Sequence, residues 1–136
     1  MTTSSASRTT VAAPDAPAAI GPYSHAVSHD GLLYCSGALP LDPDSGELID
    51  SSPGAEAKQC LENLAAICRA AGTELSQALR LTIYTTRLEA FEEINQAYGA
   101  FFESAPPARV AIGVAALPKG AEVEIDAIVA MTAGPS

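Results

Sequence analysis

The chemistry this chain could do rests on few side chains. Arg109 stands in Pro106-Pro-Ala-Arg109, between a proline pair and a run of strand formers. That stiffness lowers the entropy cost of aiming a guanidinium fork, and a fork holds a planar carboxylate with two bonds. The residue reads either as an anchor for an anionic small molecule or as an ordinary loop salt bridge. Glu124 and Asp126 alternate with Val123 and Ile125, so the two carboxylates share one face of a strand. On a solvated face they are unremarkable; on a covered face Glu124 must be paired or must act as an acid or base. Tyr23 follows Gly21-Pro22, a turn that fixes its direction, and reads otherwise as a packed aromatic. Asn95 reads as a plain amide on a helix surface. His25 and His29 lie four apart in a strand region with no third ligand nearby, which argues against a metal site. Lys58, Arg69, Arg80 and Arg87 read as solvated. The chain lacks G-x-S-x-G, H-E-x-x-H, G-x-G-x-x-G and P-loop patterns.

Positioning these groups falls to an alternation of strands and helices. Asp30-Gly31 between two runs of strand formers predicts a type I′ hairpin over residues 23–36. Leu39 to Leu48 encloses a second turn, Asp42-Pro-Asp-Ser-Gly46, and Pro40 limits pairing there. Cys60, Leu61, Leu64, Ile67, Cys68 and Ala71 share one helical face, predicting a helix from about Ala55 to Ala71 stopped by Gly72. Leu79, Leu81 and Ile83 alternate with polar residues as a strand with one buried face. Phe91, Ile94, Tyr98, Phe101 and Phe102 predict a second amphipathic helix, stopped by Pro106-Pro107. Val110–Val114 and Val123–Met131 read as closing strands, joined at Pro118-Lys-Gly120. The order β-β-(β)-α-β-α-β-β is an α+β architecture, one mixed sheet with both helices on one face. Ile112, Val114, Ile125 and Ile128 cannot all hide on one side, so the open face calls for a second copy.

Composition agrees. The 136 residues suffice for one domain, and only 17% are charged, against about 25% in typical soluble domains. A net charge of -9 argues against nucleic-acid and anionic-membrane partners, and no apolar run is long enough to span a bilayer. Cys35, Cys60 and Cys68 form no C-x-x-C pair and read as buried thiols in a reducing, cytoplasmic compartment. Residues 1–16, rich in Ser, Thr, Ala and Pro, read as a disordered tail that is neither signal nor transit peptide. Residues 17–131 read as the single domain and 132–136 as a short tail.

Several segments in fixed order resemble the reactive intermediate deaminase family (Rid, also called YjgF), and specifically its RidA-like members. They are Ala16-Pro-Ala-Ala-Ile-Gly-Pro-Tyr-Ser24, Tyr34-Cys-Ser-Gly37, Leu41-Asp-Pro-Asp-Ser-Gly-Glu47 and Cys60-Leu-Glu-Asn-Leu64. Phe91-Glu-Glu-Ile-Asn-Gln-Ala-Tyr98, Pro107-Ala-Arg109, Leu117-Pro-Lys-Gly120 and Val123-Glu-Ile-Asp-Ala127 continue the series. The resemblance implies a chorismate mutase-like fold, assembled as a homotrimer with barrel-like packing of sheets and ligand pockets between subunits. It implies hydrolytic deamination of reactive enamines and imines, such as 2-aminoacrylate and related 2-imino acids, to 2-oxo acids and ammonia. The role would be detoxification of a reactive metabolite, without cofactor or metal.

Position by position, the resemblance makes Arg109 the carboxylate-binding residue and puts Tyr23, Ser36, Asn95 and Glu124 in the pocket. Glu124 would orient or deprotonate a water, Tyr23 would close the site, and Ser36 and Asn95 would support it. Ala38 and Ala111 depart from the Gln and Cys or similar residues common in relatives; Ala111 bears on substrate size. His25 stands where Gln is common, at the expected pocket rim. A non-catalytic, small-carboxylate-binding or regulatory trimer is the alternative. The ribonuclease activity attached to some relatives fits poorly with the charge.

Overall fold

The structure, a computed structural model, describes residues 7–49 and 51–131. Six strands form one sheet in the order β1-β2-β3-β6-β4-β5: β1 Thr9–Val11, β2 Ala26–His29, β3 Leu32–Ala38, β4 Ala78–Thr85, β5 Ala108–Gly113 and β6 Val123–Ala130. Every pairing is antiparallel except β4 with β5. That parallel step is bridged by α2 (Phe91–Gly99), whereas α1 (Pro53–Ala71) joins β3 to β4. The α+β expectation with a mixed sheet holds. At the hairpin, Asp30 and Gly31 both take positive φ, 51° and 81°, as a type I′ turn requires.

Helix α1 begins two residues earlier than its apolar period suggests. Ser52 caps it by accepting the amide of Ala55, and Pro53 fits the first turn. Gly72 ends it at φ 91°. Its buried face, with Leu61, Leu64 and Ile67, packs with Ile94 of α2 on Leu33, Leu81, Ile83, Ile125 and Val129 of the sheet. Burying side chains of this size contributes about 1.5–3 kcal/mol each. A smaller cluster of Leu39, Leu41 and Ala121 lies beside it. The 39–48 segment makes only one bridge, Leu41 with Leu48. No described helix is long and apolar enough to cross a membrane.

Four expectations need correction. Residues 9–11, placed in the tail by composition, add an edge strand to β2, and Ala13 and Ala16 behind it are buried; backbone pairing decides this, and composition does not report it. The remaining tail residues 1–6 and 132–136 lie outside the described residues. Leu79 is not on the buried face: the β4–β6 register slips between Ala78 and Arg80, and the slip turns Leu79 out to 49% exposure. Phe101 and Phe102 follow α2 instead of extending it, although Phe102 is still buried. Arg109 sits within β5, not ahead of it.

All three cysteines are free and buried. Of the buried polar residues Glu56, Asn63, Thr73, Thr82 and Thr85, the two on α1 tie neighbouring segments to the helix. Glu56 accepts the amides of Glu122 and Val123 at 2.8 and 3.1 Å, fixing the entry to β6. Asn63 of α1 donates to the carbonyls of Leu39 and Leu41, both at 3.0 Å. Removing the amide takes this donor from the Leu41 carbonyl, a loss of about 1–3 kcal/mol, whereas the Leu39 carbonyl keeps the Leu41 amide at 2.8 Å. Asn63→Ala is therefore expected to lower unfolding stability by about 1–3 kcal/mol in a urea titration; a loss under about 0.5 kcal/mol would contradict the clamp.

Candidate functional site

The residues singled out from the sequence fall into two groups on one subunit. The first gathers around the bulge in β3. Cys35 pairs with Ala127 and Ala38 with Ile125, so Ser36 and Gly37 together oppose Asp126 alone. The carboxylate of Glu124 lies against the Cα of Gly37, close enough that a Cβ there would meet Oε2 at 2.4 Å. Gly37 is thus the gap into which Glu124 fits. Ser36 donates its hydroxyl to the carbonyl of Ser24 at 2.7 Å. It therefore ties down the loop carrying Tyr23, whose ring lies over Gly21 and is exposed. A small, mostly apolar cavity is lined here by Ala16, Pro17, Tyr23, His25, Ser36 and Gly37.

Along β6, Glu124 and Asp126 do share the face away from the helices. Asp126 accepts the Tyr84 hydroxyl at 2.9 Å. Burial first, and the neighbouring Asp126 charge second, hold the Glu124 carboxyl above the ordinary range. No cation pairs with it among the described residues. A half-buried, unneutralised carboxyl with a raised pKa is suited to taking and returning a proton.

The second group centres on Arg109. Its guanidinium carbon lies 5.3 Å from the ring centre of Phe91 and 5.0 Å from that of Tyr98, both on α2. One Nη donates to Asn95 Oδ1 at 2.7 Å. Asn95 is thus no plain surface amide, and Arg109 makes no ion pair among the described residues. Its remaining N–H groups are left for a ligand. Ala111, two residues on, is half-buried on the same face of β5. By contrast Arg87, expected to be solvated, is bound to Glu89 and Glu122. The aromatic support of Arg109 went unread in the sequence, although Phe91, Asn95 and Tyr98 recur there at i, i+4 and i+7, the spacing of one helix face.

One subunit cannot bring the two groups onto one small molecule. Glu124 pairs with Tyr84, and Tyr84 with Ile112, so Glu124 and β5 lie two strand spacings apart, roughly 10 Å. Arg109 is three residues before Ile112, roughly another 10 Å along the strand. It also pairs with the buried Leu81 and so points to the helix side, opposite Glu124. Meanwhile the open sheet face carries Tyr34, Leu79, Val110 and Ile112, all exposed. No group of three or more His, Cys, Asp or Glu side chains among the described residues is placed to hold a metal ion.

Known proteins are similar to this chain in sequence and fold. The family model described as endoribonuclease L-PSP matches residues 13–131. A RutC family protein, y4sK, of Sinorhizobium fredii is 49% identical over 118 residues, 87% of this chain and 94% of that protein. The 2-iminobutanoate/2-iminopropanoate deaminase of Mus musculus is 44% identical over 125 residues, 92% of this chain and 93% of the relative. The crystal structure of E. coli TdcF with bound serine superposes with a TM-score of 0.86 at 34% identity, covering 91% of this chain and 99% of that one.

The raised Glu124 value has a stability consequence. The folded chain keeps a proton on Glu124 at pH values where the unfolded chain has released it. Stability from this group is therefore present below the unfolded value and lost as pH rises through the folded one. Glu124→Gln removes that loss. The variant is expected to unfold at higher urea than wild type at neutral pH, with the gap closing below about pH 4. A variant less stable than wild type at neutral pH would contradict the burial argument.

Proposed function

Because this chain belongs to the endoribonuclease L-PSP family, also called Rid or YjgF, we propose that it hydrolyses 2-imino acids and their enamine tautomers to 2-oxo acids and ammonia. The observation that carries this reading is the unneutralised Arg109 fork, braced by two rings and Asn95 in a protein of net charge -9. The deaminase name of the mouse relative and the serine held by TdcF support it. Both fit a small α-carboxylate bearing nitrogen at the next carbon.

The site is completed by a second copy, as in a homotrimer whose clefts bring Arg109 of one chain to Glu124 and Tyr23 of the next. The opposed directions of the two groups and the uncovered sheet face support this. Arg109 grips the substrate carboxylate bidentately, and Ala111 beside it leaves room for the substrate side chain. An enamine first takes a proton from solvent at its β carbon and becomes the iminium, the protonated imine. Glu124 accepts a proton from water as the oxygen attacks the iminium carbon, whose π electrons move to nitrogen and neutralise it, giving a tetrahedral amino alcohol. The same carboxyl returns a proton to the amine. The C–N bond breaks, ammonia leaves, and the remaining hydroxyl loses its proton to give the 2-oxo acid. Imines react with water unaided, so placing water and substrate together accounts for most of the needed rate. Tyr23 covers the pocket. A trimer that binds the carboxylate without turning it over would display the same anchor; the rate measurement separates the two.

Imines generated by an amino acid oxidase supply the assay. Wild type is expected to accelerate 2-oxo acid and ammonia release, and Arg109→Lys to lose about 100-fold in kcat/KM, because an ammonium cannot reproduce the fork. Saturable binding with no acceleration would replace this reading with the non-catalytic one. Arg109→Ala and Glu124→Gln chains, each inactive alone, are expected to recover up to about a quarter of wild-type activity when refolded together in equal amounts, the share of interfaces with both residues intact. No recovery in a verified mixed oligomer would sink the shared site.

A further inference from the structure

Segment 13–25 reaches the Tyr23 turn from the edge of the sheet, and one side chain ties its two ends together. His25, just before β2, accepts the amide of Ala13 at Nδ1, 2.9 Å, and its Nε2 stands 2.8 Å from the carbonyl oxygen of Pro17. A backbone amide can only donate and a carbonyl can only accept. The two bonds together therefore require a neutral ring with its proton on Nε2. No other tautomer satisfies both.

The clamp shapes the first group of site residues. Ala13 and Ala16 are buried at 2% and 5% exposure, and the Ala16 amide returns to the carbonyl of Ala13 at 3.2 Å. Pro17 then enters the wall of the cavity that Tyr23, Ser36 and Gly37 also line. Beyond it the chain turns at Gly21-Pro22, with the Tyr23 amide on the carbonyl of Gly21 at 2.9 Å and the Tyr23 hydroxyl within 3.3 Å of the Ile20 amide. On the far side, the carbonyl of His25 accepts the Ser36 amide at 3.0 Å, and Ser24 holds the Ser36 hydroxyl. Tyr23 is thus suspended between two fixed points, and one of them is the His25 ring. His25 lines that cavity, as expected at the pocket rim, and its two backbone bonds give it a second role.

We propose that His25 is a positioning residue that holds the 13–17 segment against β2 and thereby sets where Tyr23 closes over substrate. The inference rests on the deaminase reading for its effect on rate, but not for the clamp. The test is a double-mutant cycle with two spectroscopic readouts. His25→Leu is expected to lower kcat/KM about ten- to hundredfold, mostly through KM, in a protein of wild-type assembly. In a Tyr23→Ala background the same change is expected to cost nothing further, because the group it positions is gone. His25→Gln, with one acceptor and one donor on a planar head, is expected to restore most of the lost activity. Nitrogen-15 spectra of wild type are expected to show Nδ1 unprotonated and Nε2 protonated, with a slowly exchanging Ala13 amide that becomes fast in His25→Leu. An equal cost of His25→Leu with and without Tyr23, or a protonated Nδ1, would overturn the proposal. If wild type hydrolyses no imine, the deaminase reading fails on its own. The clamp then stands on the tautomer and the Ala13 amide, and fast exchange of that amide in wild type overturns it.

Discussion

Along β6, Val123, Ile125, Ala127 and Val129 are buried under the helices, while Glu124, Asp126 and Ile128 turn to the opposite face. The strand is central, bonded to β3 on one side and β4 on the other. A slip of one residue would carry all four apolar side chains out of the core and put two carboxylates into it. The core energy therefore fixes the register, and the register fixes Glu124. The bulge in β3 completes the arrangement by withholding a side chain at Gly37, where the carboxylate rests. The candidate catalytic carboxylate is held in a half-buried place without a cation among the described residues, because the strand that carries it has nowhere else to go.

The elements with a clean period were legible in the sequence. The Asp30-Gly31 hairpin, the α1 face and the β6 alternation each follow from one local rule, and the structure keeps them. What was not legible depends on partners distant in the chain. Thr9–Val11 is polar and short, and becomes a strand only because β2 offers an unpaired edge. Leu79 follows the strand period, yet the register slip beside it is invisible without β6. By spacing alone the two histidines looked alike, and only the family resemblance set His25 apart. His25 differs only because Ala13 and Pro17 fold back to it, and no spacing rule reports a ring that bonds two backbone groups.

The candidate site was legible as a set of residues but not as a geometry. Arg109 stood out through its proline pair, and Glu124 through alternation. Their relation, opposite faces and two strands apart, needs the strand order, and β6 inserts between β3 and β4 out of chain sequence. The scarcity of cations carries weight here. Arg87 is consumed by two carboxylates, while Arg109 is kept from them and given aromatic faces instead. Ring faces hold a guanidinium without neutralising it, which leaves its charge available to a ligand.

β5 has a consequence beyond ligand binding. It pairs with β4 on one side only, so its other edge presents bare amides and carbonyls. Such edges recruit stray strands and seed aggregates, above all when flanked by apolar side chains such as Val110 and Ile112. Here the edge is six residues long, is preceded by two prolines and carries an arginine. These are the features that discourage strand addition. The side chain best placed to grip an anion therefore also serves as a gatekeeper of solubility, and its apolar replacement removes both safeguards at once.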